Sequence, residues 1–147
     1  MRLPGCLFAL LVLPAWVAWA APAIPLQTLI DATPAGGTLR LAPGTYAGPA
    51  SIARPLALDG GHRAVIRGDG RSTVLSVAAN GVTLRGLHIT GSGDSHDRID
   101  AGILLEGDGH RVEDNEIDDV LFGIHLKRVN RARVVGNRVT GKNLEQG

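Results

Sequence analysis

The sequence predicts an all-β chain, a parallel β-helix solenoid with a short amino-terminal capping helix. Three observations lead there. Short apolar alternations recur in a fixed order at a nearly constant interval. Gly, Asn and Asp separate them, which favours corners over helices. Aromatic residues make up only 3% of the chain, so its interior must be built from Val, Ile and Leu.

The recurrence has three series. The first is Leu75-Ser76-Val77, Ile103-Leu104-Leu105 and Ile124-His125-Leu126. The second is Val82-Thr83-Leu84, His110-Arg111-Val112 and Ala132-Arg133-Val134. The third centres on Ile89, Ile117 and Val139. Leu84 to Ile89, Val112 to Ile117 and Val134 to Val139 each span five residues, and Val112 to Val134 gives a repeat of 22. Leu84 to Val112 is longer, 28 residues, which places an expanded turn within Gly91 to Ala101. Runs of three to five residues alternating with period two are short strands. Three of them per turn of the repeat describe a parallel β-helix, in which like residues stack about 4.8 Å apart.

Each element follows from its local chemistry. Pro25 to Thr33 carries Leu26, Leu29 and Ile30 at helical spacing, and Pro34 with Gly36-Gly37 stops it. This is a cap over the first coil, shielding its open strand edges. Thr38-Leu39-Arg40-Leu41 begins the strands and Pro43-Gly44 turns the chain. Asn115 and Asn137 fall three residues after Val112 and Val134. They are expected to form a hydrogen-bonded ladder and to take the left-handed backbone of a corner. Alternation sends His88, Glu116 and Arg138 outward in one column, Arg85 and Glu113 in another, and Glu106 and Lys127 in a third. Opposite charges then meet between coils. Arg111 over Arg133 has no evident compensating acid.

At the amino terminus, Met1 to Ala20 reads as a secretory signal. It has a basic Arg2, an apolar run from Leu7 to Trp19, and a small-x-small site at Ala18-Trp19-Ala20. Cleavage leaves residues 21–147 without Cys or Met and with no membrane span, which excludes a disulfide framework or thiolate site there. At the other end, Lys142 to Gly147 offers no cap, so the chain is expected to be an amino-terminal part of a longer solenoid. A formal charge of +1 gives no reason to expect nucleic acid as a partner.

Several runs carry a resemblance. They are Gly37-Thr-Leu-Arg-Leu-Ala-Pro-Gly-Thr-Tyr46, Gly81-Val-Thr-Leu-Arg-Gly-Leu-His-Ile-Thr-Gly-Ser-Gly93, Asp100-Ala-Gly-Ile-Leu-Leu105, Val112-Glu-Asp-Asn-Glu-Ile117, Phe122-Gly-Ile-His-Leu126 and Val135-Gly-Asn-Arg-Val139. Together, in this order, they resemble the NosD family of periplasmic accessory proteins for maturation of nitrous oxide reductase. The resemblance implies a right-handed β-helix and a non-enzymatic role in assembling the reductase's copper–sulfur centre. It implies as partners the permease and ATPase subunits of an ATP-binding-cassette (ABC) transporter, the reductase and a copper chaperone. Copper enters on this ground alone.

The residues themselves give little support to a copper site. Cu(I) prefers thiolate and thioether, with imidazole acceptable. His62, His88, His96, His110 and His125 form no close pair and read as ordinary surface or turn histidines. His88, His96 and His125 are the weak candidates for a metal. The expanded turn is the better contact surface, because it gathers Asp94, His96, Asp97, Arg98 and Asp100. Its carboxylates could hold a hard cation such as calcium, but a calcium loop's closing Glu is missing. Two rivals stay open. One is a secreted polysaccharide lyase, epimerase or glycosidase, for which Asp118-Asp119 would be the acidic pair, although strand neighbours face opposite ways. Against it, the Asn-Thr-Asp and Arg-Ile-Lys elements of polygalacturonases are absent. The other is a non-catalytic binding solenoid.

Overall fold

A computed structural model describes residues 22–143. The expected signal at Met1 to Ala20, and the last four residues of the uncapped tail, lie outside the described residues. The chain begins with β1 (Ile24–Pro25), α1 (Leu26–Asp31), β2 (Thr38–Arg40), β3 (Gly44–Ala47) and β4 (Ala50–Ile52). It continues through β5 (Ala57–Arg67), β6 (Leu75–Ala78), β7 (Thr83–Thr90), β8 (Ala101–Asp108) and β9 (Arg111–Glu113). It ends with β10 (Glu116–Val120), β11 (Phe122–Asn130), β12 (Arg133–Val135) and β13 (Arg138–Gly141).

Every strand pairing is parallel, and each strand lies over its counterpart in the preceding coil. The result is a right-handed parallel β-helix of about five turns. One face runs β11-β8-β6-β4. The other strands form a continuous sheet that bends at a corner. On one side of the corner lie β2, the start of β5, the start of β7, β9 and β12. On the other lie β3, the end of β5, the end of β7, β10 and β13.

The stacking is the one the intervals predict. Val134 lies on Val112 and Val112 on Leu84. Ile117 sits between Ile89 and Val139, and Ile103 between Leu75 and Ile124. Leu84, Ile89, Ile103, Val112 and Ile117 are all fully buried in one aliphatic core. In the last coil their neighbours stay open, with Leu126, Val134 and Val139 exposed by 42–49%.

The amino-terminal cap does its work through hydrogen bonds as well as burial. Leu26 and Ile30 enter the core. Gln27 imitates a neighbouring strand: its Oε1 accepts from the Ser51 N–H at 2.7 Å and its Nε2 donates to the Ser51 carbonyl at 3.1 Å. That satisfies edge groups of β4, which would otherwise lack a partner strand. Arg54 in turn donates to the Ile30 and Asp31 carbonyls at the end of α1. The strands begin earlier than Thr38, because Ile24–Pro25 already pairs with Tyr46 and Ala47.

The asparagine ladder is present. Asn115 Nδ2 donates to Asn137 Oδ1 at 3.0 Å and to the Leu84 carbonyl at 3.0 Å, and Asn115 Oδ1 accepts from the Leu87 N–H at 3.0 Å. Its expected backbone needs correcting. The left-handed residues are Asp114 (φ 55°) and Gly136 (φ 70°), one place earlier in the corner. The turn is made before the amide, which leaves each Asn side chain free to point inward and bind backbone.

The charged columns align as expected but pair differently. Glu106 and Lys127 meet at 2.9 Å. Arg85 lies in register with Glu113 but bonds Asp59 in the coil before it at 2.9 Å. Glu113 instead takes Arg133 at 3.6 Å, the acid that the Arg111–Arg133 stack had lacked. Asp59 and Arg85 are direct register partners, whereas Arg133 reaches Glu113 diagonally across the pleat.

Candidate functional site

Two outward features carry chemistry. The first is the expanded turn, which the structure places between β7 and β8 as irregular chain. Buried polar side chains at both ends hold its shape. Ser92 Oγ donates to the Gly93 carbonyl and accepts from the Leu121 N–H, each at 2.9 Å. Asp100, only 2% exposed, accepts from the Ser95 N–H at 2.9 Å and from Arg98 at 3.2 Å. Arg98 also donates to the Arg71 carbonyl at 2.9 Å.

Apart from the Arg98–Asp100 pair, the candidates on this turn take separate partners. Asp94 extends to Lys142 at 2.7 Å, His96 meets Phe122 edge-on with ring centroids 5.9 Å apart, and Asp97 faces solvent. Asp100 is committed to its own loop. The arrangement is a pre-shaped projection presenting Asp94, His96, Asp97 and Arg98.

The second feature was legible only in part. His88 on β7 lies in register with Glu116 on β10, and Thr90 with Asp118. Residues two apart on a strand face the same way, so the four form one outward facet. His88 Nε2 and Asp118 Oδ2 are 2.8 Å apart. One ligand atom each from His88, Glu116 and Asp118 lies within 4.8 Å of the other two. Burial alone would raise the Asp118 pKa. Hydrogen bonding from Thr90 and His88, and the histidine's charge, outweigh that and hold the carboxyl below its ordinary range. Arg138 aligns with Glu116, but among the described residues no cation lies within 4.0 Å of Glu116.

A groove of about 500 Å³ opens beside this facet, lined in part by His62, His88, Asp114, Glu116 and Arg138. His62 arrives there through a bulge. Between the Asp59–Arg85 and Ala64–Leu87 pairs, β5 has four residues where β7 has only Gly86. The extra residues bend the strand outward, with His62 at φ 62°. Gly60 in the bulge is required by close approach, since a Cβ there would lie 2.5 Å from the Gly86 carbonyl oxygen.

The remaining histidines separate clearly. His125 is on β11, on the other sheet, stacked on Leu104. His110 is not a surface histidine. It is 1% exposed, its Nδ1 accepts from the Val82 N–H at 3.2 Å, and its Nε2 lies 2.8 Å from the Glu106 carbonyl. It bridges backbone at a corner. Asp118 and Asp119 do not alternate as regular strand neighbours: Asp119 has φ 49° at a register shift, so both reach solvent while Ile117 and Val120 on either side are buried.

The chain is 32% identical over 139 residues to a Pseudomonas aeruginosa protein named probable ABC transporter binding protein NosD. This similarity supports a NosD-family relationship. The match covers 93% of this chain and 32% of that NosD protein, so the chain spans about a third of its relative's length. No family model matches the chain, and no solved structure matches it. The copper implied by the NosD resemblance can be tested against the donor set. The chain's one Cys and one Met are Cys6 and Met1, so residues 22–143 offer no sulfur ligand. The described residues do not fit a cuprous site.

Proposed function

We propose that this chain forms the amino-terminal coils of a periplasmic accessory protein. In this reading it acts with an ABC transporter in assembling the copper–sulfur centre of nitrous oxide reductase. The observation that carries the proposal is the similarity to NosD across 93% of the chain.

The solenoid's contribution is a rigid docking surface. Interlocked strands and the asparagine ladder fix the coils, and the turn from Gly91 to Asp100 projects from them in a set shape. Asp94, His96, Asp97 and Arg98 are the contact residues of this proposal. Copper is cargo in the assembly, carried by a chaperone or by sulfur donors elsewhere, and the catalytic subunits of the transporter supply the energy.

The test is copurification of the full-length protein with the transporter's permease and ATPase from solubilised membranes. The expected result is recovery of both subunits, reduced at least about tenfold by the combined Asp94→Ala, His96→Ala and Asp97→Ala variant at unchanged melting temperature. Failure to recover either subunit with the unmodified protein contradicts the proposal.

A further inference from the structure

We infer that His88, Glu116 and Asp118 form a binding site for a divalent cation of zinc-like chemistry, open to the adjacent groove. This inference is independent of the transporter reading and differs from the copper expectation in the ion it selects.

The first ground is geometry. The three ligand atoms lie within 4.8 Å of one another. Zinc binds imidazole nitrogen and carboxylate oxygen at about 2.0–2.2 Å, so its ligands sit about 3.3 Å apart. The 2.8 Å contact between His88 and Asp118 needs to open by only about half an ångström to admit the ion at that spacing. The hydrogen that bridges this pair leaves to solvent, and Nε2 then offers its lone pair to the metal.

The second ground is the scaffold. Glu116 and Asp118 come from one strand and His88 from the strand stacked beside it, in fixed register. Ligands carried on paired strands are held more exactly than ligands on loops. By contrast, the carboxylates of the expanded turn are drawn apart to Lys142 and Arg98.

The third ground is charge. The other acids of the outward columns meet cations on neighbouring coils: Asp59 meets Arg85, Glu106 meets Lys127, and Glu113 meets Arg133. The facet instead sets two carboxylates against one imidazole, and Glu116 has no cationic partner within 4.0 Å among the described residues. A dication supplies the missing charge.

The donor set determines the type of ion. One imidazole and two carboxylates suit zinc and its divalent neighbours, whereas a cuprous ion favours sulfur. Three protein ligands leave a coordination position open. His88 and Glu116 also line the groove with His62 and Arg138, from which water or an anionic group would complete the shell.

The experiment is calorimetric titration of the purified chain with zinc chloride, repeated on His88→Ala, Asp118→Asn and the opposite-face control His125→Ala. The site predicts one zinc per chain, affinity at least about tenfold weaker in the first two variants, and no change in the control. Thermal melts of each variant without metal confirm that folding is retained. In a second readout, zinc raises the melting temperature of the unmodified chain and of His125→Ala but not of His88→Ala. Absence of saturable binding up to about 1 mM zinc overturns the inference, as does unmodified-strength binding by His88→Ala. Cuprous ion bound in preference to zinc, with loss in His88→Ala, overturns the assignment of the ion.

Discussion

Replacing Asn115 with Ala should destabilise the solenoid far more than the same change at Asn137, one coil later. Asn115 is 2% exposed and holds two backbone groups of the preceding coil, the Leu87 N–H and the Leu84 carbonyl, each at 3.0 Å. Alanine leaves both without a partner where water has poor access. Each orphaned buried group costs about 1–3 kcal/mol, and water entering the shortened site recovers part of this, so a loss of about 3 kcal/mol is expected. An unfolding entropy of about 2 cal/mol/K per residue converts that loss to a fall in Tm of about 12 °C for a folded unit of this size. Asn137 is only half-buried, and its bonds to Asn115 and to the Val112 carbonyl lie near solvent. Its Ala variant should lose less than half as much. The assay is thermal unfolding followed by circular dichroism at 218 nm, about the wavelength of the strand signal, with two-state behaviour checked by a second probe. A fall of less than about 3 °C for Asn115→Ala, or equal falls for the two variants, refutes the reasoning that the inner amide bridges coils.

Further expectations concern the core, acid stability and the enzymatic rival. Ile117 is fully buried between Ile89 and Val139, so Ile117→Ala should cost about 2–5 kcal/mol in denaturant unfolding, and Ile117→Asp should fail to fold. Arg85 and the Gly61 N–H, by hydrogen bonding, hold the Asp59 carboxyl below its ordinary 3.8 despite partial desolvation. Its stabilising effect is therefore present above about pH 4 and is lost as pH falls through the lowered value. Asp59→Asn should lower Tm slightly at pH 7, with the gap to the unmodified chain closing in more acidic buffer; a gap that widens there would contradict the assigned pairing. Incubation with alginate or pectate should yield no unsaturated or epimerised products, measured by absorbance of the new double bond and by NMR.

Much of the architecture could be read from spacing, because a solenoid repeats its contacts in sequence order. The five-residue interval from Val112 to Ile117 and the 22-residue step to Val134 set the strand register directly. The expanded turn showed itself as a longer interval. What spacing could not reveal was where a side chain goes once it leaves the backbone. Arg85 has acids in the coils on both sides of it, and only the structure shows that it takes Asp59 over Glu113. His88 was expected in a column with Glu116 and Arg138, yet it bonds Asp118, which belongs diagonally to the same facet. The bulge that delivers His62 has no counterpart in the following coil, so a repeat-based reading passes over it.

A second polar ladder was missed although its signal was present. Asn80 Oδ1 accepts from the Asp108 N–H at 2.9 Å, and Asp108 Oδ1 accepts from the Asn130 side chain at 3.1 Å. These residues are separated by 28 and then 22 positions, the same intervals that relate the apolar strands. Applying the repeat to polar residues as well as aliphatic ones would have found them. His110 escaped for a different reason. A histidine at a turn reads as exposed, and only the corner's geometry shows its ring replacing backbone partners.

The proposed function is a part in assembling the copper–sulfur centre of nitrous oxide reductase. Its most direct measurement is the copper and acid-labile sulfide content, with the visible spectrum, of reductase purified from a strain whose full-length gene for this protein has been deleted. The account predicts reductase protein present but lacking that centre, restored when the gene is returned. Reductase from the deletion strain with its copper–sulfur centre fully assembled would contradict it.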